Sequence, residues 1–162
     1  MSGLAAVLAG HRPPGIYRWH AAFDAADVQH TVEGADWAFA YLHTVDQAEP
    51  EDGREAGDEA KAEFLAAIGA ALGFPDYYGR NFDALADCLD DVGSGPGSGI
   101  GSSTGGTVLL WDGWGALARR DARAFSIALA VLAGRVDSER GDPFCVVLRG
   151  DGPEQPDLES LD

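Results

Sequence analysis

Three short apolar runs do most to limit the fold: Trp37–Val45, Thr107–Trp111 and Phe144–Leu148. Each is rich in β-branched, aromatic or aliphatic residues, and the first nearly alternates, so each predicts a strand. Helical patterns separate them. Asp58–Leu72 places Phe64, Leu65, Ile68 and Leu72 on one helical face and is closed by Gly73 and Pro75. Asn81 then opens a shorter helix, Phe82–Asp91, whose core-facing set is Phe82, Leu85, Cys88 and Leu89. Ala116–Val136 reads as one long helix carrying Leu117, Phe125, Leu129, Leu132 and Val136. Strands joined through helices run parallel, because a parallel crossover needs a dozen or more residues. The expected fold is α/β, a small three-stranded parallel sheet packed by helices over residues 37–149.

Residues 1–36 form an N-terminal extension that can join this fold. Met1–Gly15 ends in His-Arg-Pro-Pro-Gly and is expected to wander. Ile16–Trp19 suits a short strand, and Asp24–Gly34 a helix with Asp24 as cap and Gly34 as stop. Gln47–Gly57 is acidic and broken by Pro50 and Gly53, hence a loop. Residues 93–106 are almost entirely Gly and Ser, and no Walker lysine follows, so they predict a flexible loop rather than a phosphate cradle. Residues 150–162 are acidic and contain prolines, which predicts a disordered tail.

Charge narrows the function. A formal net charge of −16 over 162 residues repels phosphate backbones and argues against direct nucleic-acid binding. It suits cationic partners, whose encounter it can steer over a Debye length of ~8 Å at physiological salt, and it equally suits an acidity that serves only solubility. Cys88 and Cys145 are too few for a disulfide framework and lie in apolar runs, so both are expected to be buried thiols. Leu4–Ala9 is too short and poorly flanked for a signal peptide, and no stretch approaches a membrane span of ~20 residues. The expectation is a cytoplasmic protein, monomeric when free.

The chemistry gathers in Gly73–Asp91. Asp76–Asp91 holds five aspartates against one arginine, a local balance of −4. Asp83 and Asp87 are four apart and point from one helical face, at a cost of a few tenths of a kcal/mol. Spacing alone is compatible with a solvated face or with carboxylates presented to a cation. Tyr77 and Tyr78 add two rings ahead of that face, suited to an Arg-rich partner through stacking and cation–π contact, with Tyr77 expected outward and Tyr78 partly buried. Gly79 would permit a turn with positive φ.

Phe-Pro-Asp-Tyr-Tyr-Gly-Arg-Asn-Phe-Asp-Ala-Leu-Ala-Asp-Cys-Leu resembles the barstar signature, matching at Pro75, Tyr77, Tyr78, Gly79, Asn81, Asp83, Ala84, Leu85, Asp87, Cys88 and Leu89. The likeness extends over roughly Trp37–Arg149. It implies an intracellular inhibitor, immunity-type and not an enzyme, that blocks the active site of a basic, guanyl-specific ribonuclease. In that family the short helix and its preceding loop plug the active site, carboxylates standing in for substrate phosphate. The resemblance makes Asp87 the central anchor, Asp83 the second charged contact and Tyr77 the packing ring. Gly79, Asn81 and Phe82 shape the loop. A carboxylate pairs with guanidinium as phosphate would, and offers no bond to hydrolyse. Three positions depart from the pattern. Ala86 replaces an interface tryptophan, and Val92-Gly93 with the glycine-rich loop replaces the tryptophan expected soon after the helix. The acidic contact of the last helix aligns with Val136, beside Asp137 and Glu139.

Other functions fit less well. The same fold could serve as an interaction module for an unrelated partner. Asp83 and Asp87 as an acid/base pair would need a cleft that separates their pKa values, which neighbouring positions on a short helix do not supply. His11, His20, His30 and His43 show no ligand or triad pattern, and the aspartates lack the alternation of a Ca²⁺ loop, so neither metal nor cofactor is expected.

Overall fold

The computed structural model describes residues 2–20, 22–44, 53–74, 79, 81–91, 106–138, 143–153, 155 and 158–161. In chain order the elements are α1 (Ser2–Leu8), β1 (Ile16–Trp19), α2 (Ala25–Gly34), β2 (Trp37–His43), α3 (Gly53–Leu72) and α4 (Phe82–Asp91). β3 (Gly106–Asp112), α5 (Trp114–Arg120), α6 (Ala122–Val136), β4 (Phe144–Arg149) and β5 (Glu159–Ser160) follow. The strands form one parallel sheet in the order β2-β3-β4-β1-β5.

The sheet therefore has five strands among the described residues, not the expected three. The two additions come from the chain ends, β1 from the N-terminal extension and β5 from the acidic tail. Their reason lies in β3 and β4, whose side chains are buried on both faces, so both faces need a cover. One face takes α3, α4, α5 and α6 over Ala40, Leu42, Leu109, Trp111, Val146 and Leu148. The other takes α1 and α2 over Val108, Leu110, Cys145 and Val147.

Met1–Gly15 does not simply wander: α1 buries Leu4 and Val7 completely, or nearly so, against that second face. The tail orders at Glu159–Leu161 although its composition predicts disorder. Leu161 is 1% exposed, its N–H donates to the Arg18 carbonyl at 2.7 Å, and Arg12 bonds both Glu159 and the Ser160 carbonyl. One leucine and one arginine hold this strand against the charge around it.

Two helix boundaries also differ. α3 begins at Gly53, so Gly53–Gly57 is helical rather than loop; α3 ends, as expected, at Gly73 with φ 67°. The expected long helix over Ala116–Val136 is two helices broken at Asp121. Its backbone leaves helical geometry (φ −146°, ψ 81°), and its carboxylate accepts from the Ala124 N–H at 3.0 Å. A short acidic side chain that bonds its own downstream backbone offers an alternative to the helical ladder, and here it caps the second helix. Residues 93–105 lie outside the described residues, and Gly106 already belongs to β3.

Candidate functional site

α4 is built from both ends inward. The Asn81 side chain accepts from the Ala84 N–H at 2.7 Å, and the Asn81 carbonyl accepts from the Leu85 N–H at 2.9 Å, which satisfies donors of the first turn. Gly79 does not adopt positive φ, contrary to expectation. Its requirement is space: a Cβ there would sit 3.2 Å from Asn81 Nδ2, crowding the capping amide. At the other end Arg135, 2% exposed on α6, donates its Nε–H to the Leu89 carbonyl at 2.9 Å. A buried guanidinium so placed satisfies a terminal carbonyl and complements the negative end of the helix.

Between the caps, Leu85, Cys88 and Leu89 are buried, with Leu85 at 0% exposure. Phe82 is only partly buried, 6.5 Å from Phe64 and under the Lys61 ammonium at 5.4 Å. The opposite side holds Asp83, Ala86, Asp87 and Asp90, all exposed and spaced i, i+3, i+4, i+7. That spacing is one helical face. Asn81 and Gly79 are exposed at its head. The expected site residues Gly79, Asn81, Phe82, Asp83, Ala86 and Asp87 are thus contiguous, with Phe82 as the hinge to the core. Tyr77, Tyr78 and Arg80 lie outside the described residues. At the C-terminal cap of α6, Asp137 is exposed two residues beyond Arg135, whereas Val136 packs partly inward; Glu139 is outside the described residues.

A second polar assembly escaped the sequence reading. Tyr41 Oη donates to Asp112 Oδ2 at 2.8 Å, while Arg149 donates through Nε to Oδ1 at 2.6 Å and through Nη2 to Oδ2 at 2.7 Å. Arg149 Nη1 also donates to the Phe23 carbonyl, tying the segment before α2 to the sheet. Burial acts to raise the Asp112 pKa, but hydrogen bonds from Arg149 and Tyr41, with the Arg149 charge, outweigh it and hold the carboxyl below its ordinary value. Burial, then the hydrogen bond and charge of Asp112, pushes Tyr41 up to about 12. The available signal was that Asp112 and Arg149 each end an apolar strand run with a charge. Of the two cysteines, Cys145 is fully buried and burial pushes its thiol up to about 11, which leaves it protonated and unreactive at neutral pH.

Among the described residues no group of three or more His, Cys, Asp or Glu side chains could hold a metal ion, and no helix is long and apolar enough to cross a membrane. What fold and site define is an α/β protein that displays a capped, acidic helix face on a sheet packed on both sides. Residues 52–149 match the family model Barstar (barnase inhibitor), which spans α3 to the end of β4 apart from its first residue of margin. The chain belongs to the barstar family. No curated protein matches it.

Proposed function

We propose that this chain is a cytoplasmic inhibitor, not itself an enzyme, that blocks the active site of a basic, guanyl-specific ribonuclease with the acidic face of α4. The observation that carries this reading is the exposure of Asp83, Ala86, Asp87 and Asp90 on one side of a helix whose other side and both ends are fixed by the core. Membership of a family described as the barnase inhibitor supports the same reading. In it, Asp87 pairs with the enzyme's phosphate-binding cations, Asp83 makes the second charged contact, and Tyr77 packs beside them. Gly79, Asn81 and Phe82 hold the loop in shape. Carboxylates held in place before contact lose little ordering entropy on binding.

The test is inhibition of RNA cleavage by a guanyl-specific ribonuclease, with wild type compared against Asp87→Ala. Removing one partner of a charge-assisted hydrogen bond costs about 2 kcal/mol, so the inhibition constant should rise roughly 30-fold. Undiminished inhibition by Asp87→Ala would remove Asp87 from the anchor role. If the wild type fails to bind any basic nuclease at low salt, the partner class is wrong.

A second reading keeps the fold and gives it an unrelated cationic protein partner. Ala86 favours it, because a methyl group stands at the centre of the exposed face where a larger contact would otherwise reach across. Capture of a basic non-nuclease protein, lost in Asp87→Ala, would select this reading.

A further inference from the structure

The sheet carries a second candidate site on the face away from α4. Strand register sets His43 opposite Asp112, Asp112 opposite Arg149, and Arg149 opposite Trp19. Alternation turns all four side chains to the face that α1 and α2 cover, one row at the carboxyl ends of four parallel strands. In open parallel α/β sheets that is the end at which crevices for ligands form. Here the row lines a cleft of about 410 Å³, completed by His20, Ala22, Gly113, Gly150 and Asp151.

The titratable lining of this cleft is mixed: Arg149, His20 and His43 stand beside two carboxylates, Asp112 and Asp151. Asp112 is occupied by two bonds from Arg149 and one from Tyr41, so its charge is matched. Arg149 uses three of its five N–H donors, on Asp112 and on the Phe23 carbonyl, and two remain unspent among the described residues. His43 is exposed and stacks on Tyr41 at 6.2 Å, and no hydrogen bond engages its ring nitrogens among the described residues. The floor is backbone. Gly113 has φ 79°, and a Cβ there would collide with the Thr44 carbonyl; Gly150 lies beside it. Trp19, 3% exposed, and Ala22 form an apolar wall.

We infer that this cleft binds the oxyanion of a small ligand, a carboxylate or a phosphate monoester, through the two unspent Arg149 donors and the His43 imidazole. The guanidinium is held in place by Asp112 and the Phe23 carbonyl before any ligand arrives, and its planar fork matches either oxyanion. Asp24 also lies close enough to act on the Arg149 charge, so binding rests on the Arg149 and His43 N–H groups at contact and not on the net charge of the cleft. Asp151, exposed at the mouth, is the lining carboxylate that Arg149 does not neutralise, and it opposes an incoming anion.

The experiment is amide and imidazole NMR of the full chain, titrated with inorganic phosphate in one arm and citrate in the other, against chloride at matched ionic strength. Saturable shifts confined to Gly113, Gly150, Asp151 and His43 are expected, with phosphate or citrate saturating first according to the source of the oxyanion. His43→Ala should weaken the effect about 10-fold through loss of a charge-assisted bond, and Asp151→Asn should strengthen it. Both positions are exposed, so neither variant should threaten folding. Shifts that do not saturate, that spread equally to Arg12 and other surface cations, or that persist unchanged in His43→Ala would overturn the assignment. The site is independent of α4, so Asp87→Ala should leave the titration as it is.

Discussion

Deleting residues 1–36 should unfold the remainder, although the family match begins only at residue 52. The extension supplies β1, a strand of the sheet, together with α1 and α2, which cover one of its faces. Without them Val108, Leu110 and Val147, each at most 1% exposed, lose their cover. At roughly 1.5–3 kcal/mol per buried aliphatic side chain this loss alone is about 5–9 kcal/mol. Ordering the extension costs entropy, and its own buried side chains Leu4, Val7, Tyr17, Trp19, Val28 and Val32 offset that cost. A net stability of ~5–15 kcal/mol cannot absorb such a loss with much margin. The assay is urea denaturation followed by circular dichroism, comparing the full chain with residues 37–162. The expected result is a lost or broadened transition with aggregation of the truncated chain. A cooperative transition at an unchanged midpoint would refute the two-sided-sheet reasoning.

Asn81→Ala removes the side-chain cap of α4 and should cost about 1 kcal/mol, read as a lower urea midpoint with an unchanged slope. Leu161→Asp should release the tail strand, because a charge cannot replace a leucine that is 1% exposed. A loss of roughly 1.5–3 kcal/mol and new protease cleavage within residues 158–161 are expected. The Tyr41 pKa is raised from 10.0 to about 12, so its contribution to stability is present below pH 10 and is lost as pH rises towards 12. Tyr41→Phe should flatten the fall in urea midpoint across that window and remove a component of tyrosinate absorbance that titrates near pH 12. Asp112 has a depressed pKa, and its contribution runs the other way: present above the ordinary carboxylate value, lost as acid protonates the folded-state carboxyl.

The strands and α4 were legible because their signals are local. Asn81 followed by Phe82, Leu85, Cys88 and Leu89 carries a cap and a helical stripe within nine residues, and α4 occupies Phe82–Asp91 as the pattern predicts. The split at Asp121 was less legible, because Leu117, Phe125, Leu129 and Leu132 keep a helical spacing through it. Only the capping bond to Ala124 shows where the ladder stops. The sheet size was legible in principle. Val108-Leu109-Leu110-Trp111 and Cys145-Val146-Val147-Leu148 do not alternate, and a strand apolar on both sides needs helices on both sides. The helices after β2 cover one face, which left α1 and α2 to cover the other. The cleft row was hidden for a different reason. His43, Asp112 and Arg149 are far apart in sequence, and parallel register, not spacing, brings them into line.

The energetics of α4 explain how a helix can carry a face that works against it. Asp83 and Asp87 are four apart and Asp87 and Asp90 three apart, each like-charge pair costing a few tenths of a kcal/mol. Leu85 and Leu89, at 0% and 1% exposure, contribute roughly 1.5–3 kcal/mol apiece by burial, and the caps at Asn81 and Arg135 add about 1 kcal/mol each. Burial wins by several-fold, so the carboxylates are held at fixed spacing despite their repulsion. That repulsion is then relieved by whatever cation meets the face. A flexible acidic segment of the same composition would spread its charges apart when free and would have to be ordered on contact. A helix fixed on three sides has already met that cost in folding, and the relief of repulsion adds to binding rather than being consumed by it.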